Sequence, residues 1–198
     1  DRFMLTIKEM EALLEKALPR KRFEHSVAVY ETAIELAKIY NADMEKVRVA
    51  SLLHDCGREI PIRENLAKAA EFNIPIDDVE ANQPILLHAK IGVYLAQHKY
   101  GVLDKEILSA IQYHTTGAAG MSQIDMIVYL ADLLEPKRGF FGIEEMRQLV
   151  KVDLEKTMMK AYALTIKYLL EHDLLIHPNC IFGRNELAIK FKKMNQTF

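Results

Sequence analysis

Apolar residues recur at three- and four-residue intervals along most of the chain, the spacing that places them on one face of an α-helix. Ile7, Met10 and Leu14 follow this spacing at the start, and Thr6 stands where an N-cap is expected. No stretch shows the alternation of apolar and polar residues that a half-buried strand has between turn signals. The pattern predicts an all-α helical bundle that forms a single domain over residues 1–198.

Capping residues and prolines set the predicted helix boundaries. Asp43, Asp104, Ser122 and Asp153 each precede an apolar-periodic run, as N-caps do. The residues before Met4 are taken as a cloning remnant and set aside. The predicted helices span about residues 7–17, 21–40, 44–54, 84–100, 105–114, 123–135, 143–150 and 154–172, with one short helix between 61 and 75, loops over 115–120 and 176–183, and a polar C-terminal helix over 184–198.

Composition narrows the classes of function. The chain has 198 residues, of which 50% are hydrophobic, enough for a sizeable core. Its formal net charge of -2 gives no electrostatic reason to expect nucleic acid or a membrane surface as a partner. No apolar run has the length of a membrane span, and no signal peptide is visible. Cys56 and Cys180 are too few for a disulfide framework, so we expect a cytoplasmic protein.

A histidine–aspartate pair, His54-Asp55, ends one apolar helical run and carries the chemical signal of the sequence. Nitrogen and oxygen side chains of this kind hold iron, manganese and similar divalent ions. Because a carboxylate has two oxygens, Asp55 could bridge two ions. The full pattern has six members in the order His, His-Asp, His, His, Asp, namely His25, His54, Asp55, His88, His114 and Asp132.

The six residues are expected to act together, since side chains from facing helices build metal sites inside bundles. One metal ion would be bound by His25, His54, Asp55 and Asp132. The sequence leaves His88 and His114 with two roles, ligands of a second metal or contacts to a substrate phosphate. A second pair, His172-Asp173, lacks such neighbours and is interpreted as a solvated helix end.

A metal-activated water that attacks phosphorus is the chemistry this ligand set favours. Asp55, His88 and His114 are the predicted catalytic residues: Asp55 positions the metal and accepts a proton, and the two histidines stabilise charge on phosphate oxygens. Arg22 lies one helical turn before His25, and Arg58 follows Asp55 by three residues. Guanidinium groups suit forked contacts with phosphate, although a lone arginine is more often a solvated surface charge.

The pattern resembles that of the HD-domain metal-dependent phosphohydrolases. The match extends to the YqeK subfamily through three further groups of residues: Arg22 to Ser26, His177 with its neighbours Ile176 and Pro178, and the series His114-Thr115-Thr116-Gly117, Gly120-Met121-Ser122, Tyr129-Leu130-Ala131-Asp132, Glu135-Pro136 and Arg138. This resemblance covers nearly the whole chain.

The resemblance implies an iron-dependent, all-α bacterial enzyme that cleaves diadenosine tetraphosphate symmetrically to two ADP. It implies that His25, His54, Asp55 and Asp132 hold the iron. It further implies that the nucleotide is contacted by Arg22, Arg58, His88, His114, Thr115, Arg138 and His177. The sequence departs from the subfamily at Ala118 and Met126, where relatives often carry cations.

Two rival functions stay open on the sequence alone. The first is a nucleotidase or dNTP phosphohydrolase with the same metal chemistry, and the second is a nucleotide-sensing module with little turnover. The intact set of six residues argues against the sensor. Metal identity and count, base preference and oligomeric state, including a homodimer, are not fixed by the sequence.

Overall fold

The computed structural model describes residues 4–196, and this range contains eleven α-helices and no strand, so the all-α prediction is confirmed. Three 3₁₀ turns, Cys56–Glu59, Ile62–Glu64 and Pro84–Leu86, join some of the helices. The helices are α1 (Ile7–Ala17), α2 (Arg20–Tyr40), α3 (Met44–Leu53), α4 (Asn65–Glu71), α5 (Asp78–Asn82), α6 (Leu87–His98), α7 (Lys105–Gln112), α8 (Gln123–Leu134), α9 (Ile143–Leu149), α10 (Leu154–Glu171) and α11 (Pro178–Gln196).

The predicted N-caps are confirmed. Thr6 and Glu9 form a reciprocal capping box at the start of α1, and Ser122 forms another with Asp125 at the start of α8. The side chains of Asp43, Asp104 and Asp153 accept hydrogen bonds from backbone N–H groups of the first turns of α3, α7 and α10. These contacts satisfy N–H groups that a helix start leaves unpaired.

The C-terminal helix begins six residues earlier than predicted, because its first residue is Pro178 and not residue 184. Proline is well suited to the first helical position, where its missing N–H costs nothing. Gly183, which favoured a loop in the sequence, lies inside α11 and packs against Tyr162 of α10. The short helix α5 was not predicted, and the proposed cloning remnant at residues 1–3 lies outside the described residues.

The core is one continuous cluster of buried side chains contributed by most of the helices. The long helix α2 packs against α3 and α8, α7 packs against the same two helices, and α6 packs against α7 and the Cys56–Glu59 turn. The hairpin of α10 and α11 lies against this assembly through contacts between α10 and α8. The C-terminal ends of α3 and α7 and the N-terminal end of α6 are thereby brought together against α2 and α8.

The pairing of the cysteines and the length of the apolar helices can be compared with what the sequence predicts. Neither of the two cysteines forms a disulfide, and both are buried. Among residues 4–196, no helix combines the length and apolar character needed to cross a bilayer.

The close approach of α10 and α11 generates a stability prediction at Gly183. A Cβ added there would lie 2.2 Å from the Tyr162 hydroxyl and 2.8 Å from the Ala118 carbonyl oxygen. Gly183→Ala should therefore lower the free energy of unfolding by about 1–3 kcal/mol, the usual cost of overpacking. Gly139→Ala is the control, since its Cβ would meet nothing within 4 Å. Urea denaturation measures both, and equal stabilities of the two variants would contradict the packing argument.

Candidate metal centre

The structure brings together all six residues of the histidine–aspartate pattern, from five different helices or helix ends. His25 lies in α2, His54 caps the C-terminus of α3, and Asp55 follows it at the start of the 3₁₀ turn. His88 lies in the first turn of α6. The remaining two, His114 just beyond α7 and Asp132 in α8, complete the set.

One half of the centre is formed by His25, His54, Asp55 and Asp132. His25 Nε2 lies 2.8 Å from Asp132 Oδ1 and 4.0 Å from Asp55 Oδ2. His54 Nε2 lies 3.7 Å from Asp132 Oδ1 and 3.9 Å from Asp55 Oδ2. Two nitrogens and two carboxylate oxygens thus surround one small volume.

The other half is formed by Asp55, His88 and His114. The Nε2 atoms of the two histidines are 3.1 Å apart, and each lies 3.4 Å from Asp55 Oδ1. Asp55 thus offers one oxygen to each half. The bridging of two ions by Asp55, expected from the sequence, stays a prediction.

The orientation of each histidine is fixed through its other ring nitrogen. Nδ1 of His54, His88 and His114 lies 2.7, 2.5 and 2.7 Å from the carbonyl oxygen of the residue three positions earlier in the chain. A carbonyl oxygen can only accept, so Nδ1 carries the proton in all three rings. In the neutral form of each ring, Nε2 then carries the lone pair directed to the centre, as metal ligation requires.

The clearest sign of a metal is the state of His54 Nε2. This atom is buried and has no hydrogen-bond partner, in a side chain with 0% exposure. An unsatisfied buried polar atom costs about 1–3 kcal/mol, so native structures rarely keep one without a purpose. The donor set of nitrogens and oxygens around it fits a divalent ion.

The electrostatic field of the centre favours cations. Burial opposes charge on His54, but the carboxylates of Asp55 and Asp132 overcome it and raise the pKa of this imidazole to about 9. Burial also opposes charge on these two carboxyl groups, yet the surrounding histidines hold their pKa values well below the usual range. Burial lowers the pKa of His88. The two aspartates are therefore ionised at neutral pH and attract a cation to this volume.

Three arginines predicted to bind substrate surround the carboxylates. Arg22 Nη1 lies 3.2 Å from Asp55 Oδ2, and Arg138 Nη2 lies 3.0 Å from Asp132 Oδ1. Arg58 Nε lies 3.8 Å from Asp55 Oδ1 and is buried without a hydrogen-bond partner. Burial lowers the pKa of the Arg58 guanidinium. A cationic rim therefore lies beside these carboxylates, suited to an anionic substrate.

Two predicted substrate residues, Thr115 and His177, lie outside this cluster. They line a cavity of about 170 Å³ to which none of the six residues contributes. Thr115 Oγ1 is buried without a partner, whereas His177 Nε2 is bound 2.6 Å from Asp77 Oδ2. Since Thr115 directly follows His114, the cavity is next to the centre along the chain.

One buried carboxylate escaped the sequence analysis as a site residue. Glu135 is 2% exposed, and its Oε2 accepts a hydrogen bond from His25 Nδ1 at 2.7 Å. It orients His25 as the backbone carbonyls orient the other three histidines. The signal available in the sequence was its position three residues after Asp132, directly before Pro136.

Two neighbours of Asp55 pack against the backbone of α6. Cys56 is buried and its Sγ donates to the Gly92 carbonyl 3.3 Å away, so it packs rather than faces the ligands. Gly57 lies in the 3₁₀ turn and is not among the residues with positive φ, so no left-handed backbone explains it. Its role is to allow close packing of the two backbones, because a Cβ there would lie 2.1 Å from the His88 carbonyl oxygen.

The exposed pair His172-Asp173 forms a helix end, as predicted, and His172 Nδ1 donates to the Tyr168 carbonyl.

Comparisons with known proteins agree with this geometry. The HD domain family matches residues 22–137. The symmetrical bis(5′-nucleosyl)-tetraphosphatase of Bacillus subtilis is 35% identical over 180 residues, which cover 91% of this chain and 96% of the relative. The protein of the same name from Halalkalibacterium halodurans is 34% identical over 187 residues, with coverage of 91% and 96%.

A solved structure gives the same result. It is the crystal structure from Clostridium acetobutylicum of a protein described as a predicted HD superfamily hydrolase involved in NAD metabolism. It superposes with a TM-score of 0.90 at 35% identity and covers 94% of this chain and 99% of its own. The fold and site thus define a helical metal-dependent hydrolase built on a histidine–aspartate centre. Within that class, the chain belongs to the HD domain family and to its symmetrical bis(5′-nucleosyl)-tetraphosphatases.

The contact between Gly57 and the α6 backbone generates a prediction for metal binding. Gly57→Ala should separate the turn that carries Asp55 from His88, since backbone atoms cannot move aside as a flexible side chain does. We expect divalent-ion affinity to fall by at least about 10-fold, as for other disturbances around metal ligands.

Gly92→Ala is the matched control, because its nearest neighbour would be a side-chain carbon of Ile111 at 3.2 Å. Isothermal titration with Mn²⁺ measures both variants. Wild-type affinity in Gly57→Ala would show that the close approach does not hold the centre together.

Proposed function

We propose that this protein hydrolyses diadenosine tetraphosphate at its central phosphoanhydride, adding one water and releasing two ADP. The observation that carries the proposal is the convergence of His25, His54, Asp55 and Asp132 around a buried nitrogen without a partner. The substrate and the symmetry of cleavage are supported by the names of relatives that match nearly the whole chain.

The proposed metal ligands are His25, His54, Asp55 and Asp132, and the proposed metal is iron, with manganese as the nearest alternative. A set of two imidazoles and two carboxylates, without thiolate, suits these ions better than a structural zinc. The resemblance to the YqeK subfamily supports iron in particular. Bound there, a divalent ion would lower the pKa of a coordinated water and so supply a nucleophile at neutral pH.

Asp55 is the proposed centre of the proton chemistry. Its two oxygens face different halves of the site, so one can hold the ion while the other remains near His88 and His114. In this position Asp55 can accept the proton that the attacking water loses. His88 and His114 are proposed to stabilise charge that develops on the phosphate oxygens.

The arginines are proposed to bind the tetraphosphate. In the structure Arg22 and Arg138 each contact a carboxylate of the centre, and a bound cation would compete for those carboxylates and free the guanidinium groups. Arg58, whose Nε has no partner, is likewise proposed to contact phosphate. Thr115 and His177 are proposed to contact the nucleotide from their adjacent cavity.

His88 and His114 pose a separate question of metal count. With both Nδ1 atoms donating to carbonyls, two Nε2 lone pairs and an aspartate oxygen converge within 3.4 Å. Three acceptors in one place require a cation between them. Our proposal is one ion in the first half, and either a second ion or a proton shared with a substrate phosphate in the second.

The setting of the reaction is also proposed. Two buried, unpaired cysteines and a nucleotide substrate fit the reducing cytoplasm. A homodimer is proposed as the assembly, and sedimentation equilibrium would distinguish it from a monomer.

The first experiment is chromatography of the products from diadenosine tetraphosphate and iron-loaded, anaerobically purified protein. We expect ADP alone. ATP plus AMP as products would overturn symmetrical cleavage. If no product forms, diadenosine tetraphosphate is not the substrate, and dATP and other mononucleotides are then tested as substrates of a nucleotidase. Binding of ADP without turnover of any of these compounds would indicate a nucleotide-sensing module.

Asp55→Asn should lower turnover at least about 100-fold, because even groups behind the ligands contribute 10- to 100-fold. Asp173→Asn is the matched control, since it alters the exposed histidine–aspartate pair by the same atom exchange and should leave turnover unchanged. Wild-type turnover in Asp55→Asn would refute the proposed role of Asp55.

Metal count distinguishes the two roles of His88 and His114. The double variant His88→Ala/His114→Ala should contain one ion per chain in elemental analysis, and the wild type two if the second half binds metal. One ion in both proteins would assign the histidines to substrate phosphate. Loss of all metal would contradict the division into two halves.

A further inference from the structure

One arginine outside the metal centre makes several hydrogen bonds to the segment that supports it. Arg147 lies in α9, and its side chain is only 21% exposed. Its Nε donates to the Leu134 carbonyl at 2.9 Å, and its Nη2 donates to the carbonyls of Glu135 and Arg138 at 2.8 and 2.9 Å. One guanidinium therefore ties together three backbone carbonyls within five residues.

These carbonyls belong to the end of α8 and the turn that follows it. A helix end leaves carbonyl groups without partners inside the helix, and a cation there also interacts favourably with the helix dipole. The Glu135 carbonyl already accepts from the Arg138 N–H at 3.0 Å, so Arg147 uses its second lone pair. Arg147 thus closes a turn that has no continuing helix to hold it.

The turn presents two side chains to the metal centre. From one end, Glu135 accepts from His25 Nδ1 at 2.7 Å. From the other end, Arg138 donates to the backbone carbonyl of Asp132 at 3.1 Å and to its Oδ1 at 3.0 Å. A shift of the turn would therefore move His25 and Asp132 relative to each other.

We propose that Arg147 is a positioning residue of the metal centre: by clamping the carbonyls of Leu134, Glu135 and Arg138 it holds Glu135 against His25 and Arg138 against Asp132. It bonds none of the proposed ligands, and it reaches Arg138, a proposed substrate contact, only through the backbone carbonyl of that residue. The proposal rests on the proposed metal centre and does not depend on the identity of the nucleotide.

The test measures Co²⁺ binding by the visible absorption of the bound ion, without substrate. Arg147→Met keeps the aliphatic stem and removes all donors, and it should weaken binding about 10- to 100-fold. Arg147→Lys should fall between this variant and the wild type, because one ammonium can reach only some of the three carbonyls. The absorption bands of Arg147→Met saturated with Co²⁺ should differ from those of the wild type, since His25 would be oriented differently.

Two controls separate positioning from general stability. Val150→Ala removes buried packing at the end of the same helix without touching the three carbonyls, and Glu144→Gln removes the exposed ion-pair partner of Arg147. Both should keep wild-type affinity and spectrum. Equal loss in Val150→Ala and Arg147→Met would overturn the proposal, as would unchanged affinity in Arg147→Met. If Arg147→Met does not fold, Arg147→Lys and Val150→Ala are compared in the same way.

A double-mutant cycle tests the route through Glu135. If Arg147 acts by holding Glu135, the double variant Arg147→Met/Glu135→Gln should lose less affinity than the product of the two single losses. Fully multiplicative losses would overturn that route. Co²⁺ binding needs no nucleotide, so these outcomes hold even if diadenosine tetraphosphate is not the substrate. A wrong substrate assignment would be seen only in the analysis of reaction products.

Discussion

The centre depends on one buried carboxylate that is shared between two groups of histidines. Asp55 is 2% exposed, and its oxygens face His25 and His54 on one side and His88 and His114 on the other. A charge removed from water in this way is tolerated only where opposite charges or donors surround it. The helices that meet at Asp55 are arranged so that such groups come from four directions.

Backbone groups, more than side chains, make this arrangement specific. Three of the four histidines are oriented by the carbonyl oxygen of the residue three positions earlier, at a helix end or in a first turn. A carbonyl fixed by a helix cannot rotate, so each Nε2 is aimed before any ion arrives. Only His25, in the second turn of α2, is oriented through Nδ1 by a side chain, that of Glu135. Its orientation therefore depends on the turn after α8, which is why that turn needs support of its own.

The sequence was sufficient to predict the helices that begin at strong N-caps and the six residues that converge. It failed to predict the role of residues whose contacts exist only in the folded protein. Thr6, Asp43 and Ser122 act locally through N–H groups of the next turn, so their signal is complete in the sequence. Gly183 is different, because a glycine favours a loop until the Tyr162 ring is known to lie against it. The same holds for Gly57, whose neighbour His88 lies 31 positions further along the sequence. Glu135 and Arg147 share this property, since their roles exist only once α2, α8 and α9 have packed.

The geometry also implies an energetic balance between folding and metal binding. The centre holds a buried nitrogen without a hydrogen-bond partner and two carboxylates whose charge is balanced by arginines and by a proton on histidine. The burial of the unpaired nitrogen and of the charged groups opposes folding, so the surrounding core of α2, α3, α7 and α8 must supply compensating stability. A ligand that binds only the folded state adds its binding free energy to that stability. Because the four histidine rings are each already held through Nδ1, little of this binding free energy is spent on ordering them. Preorganisation of the centre and the cost of its unsatisfied groups are therefore two consequences of the same buried cluster.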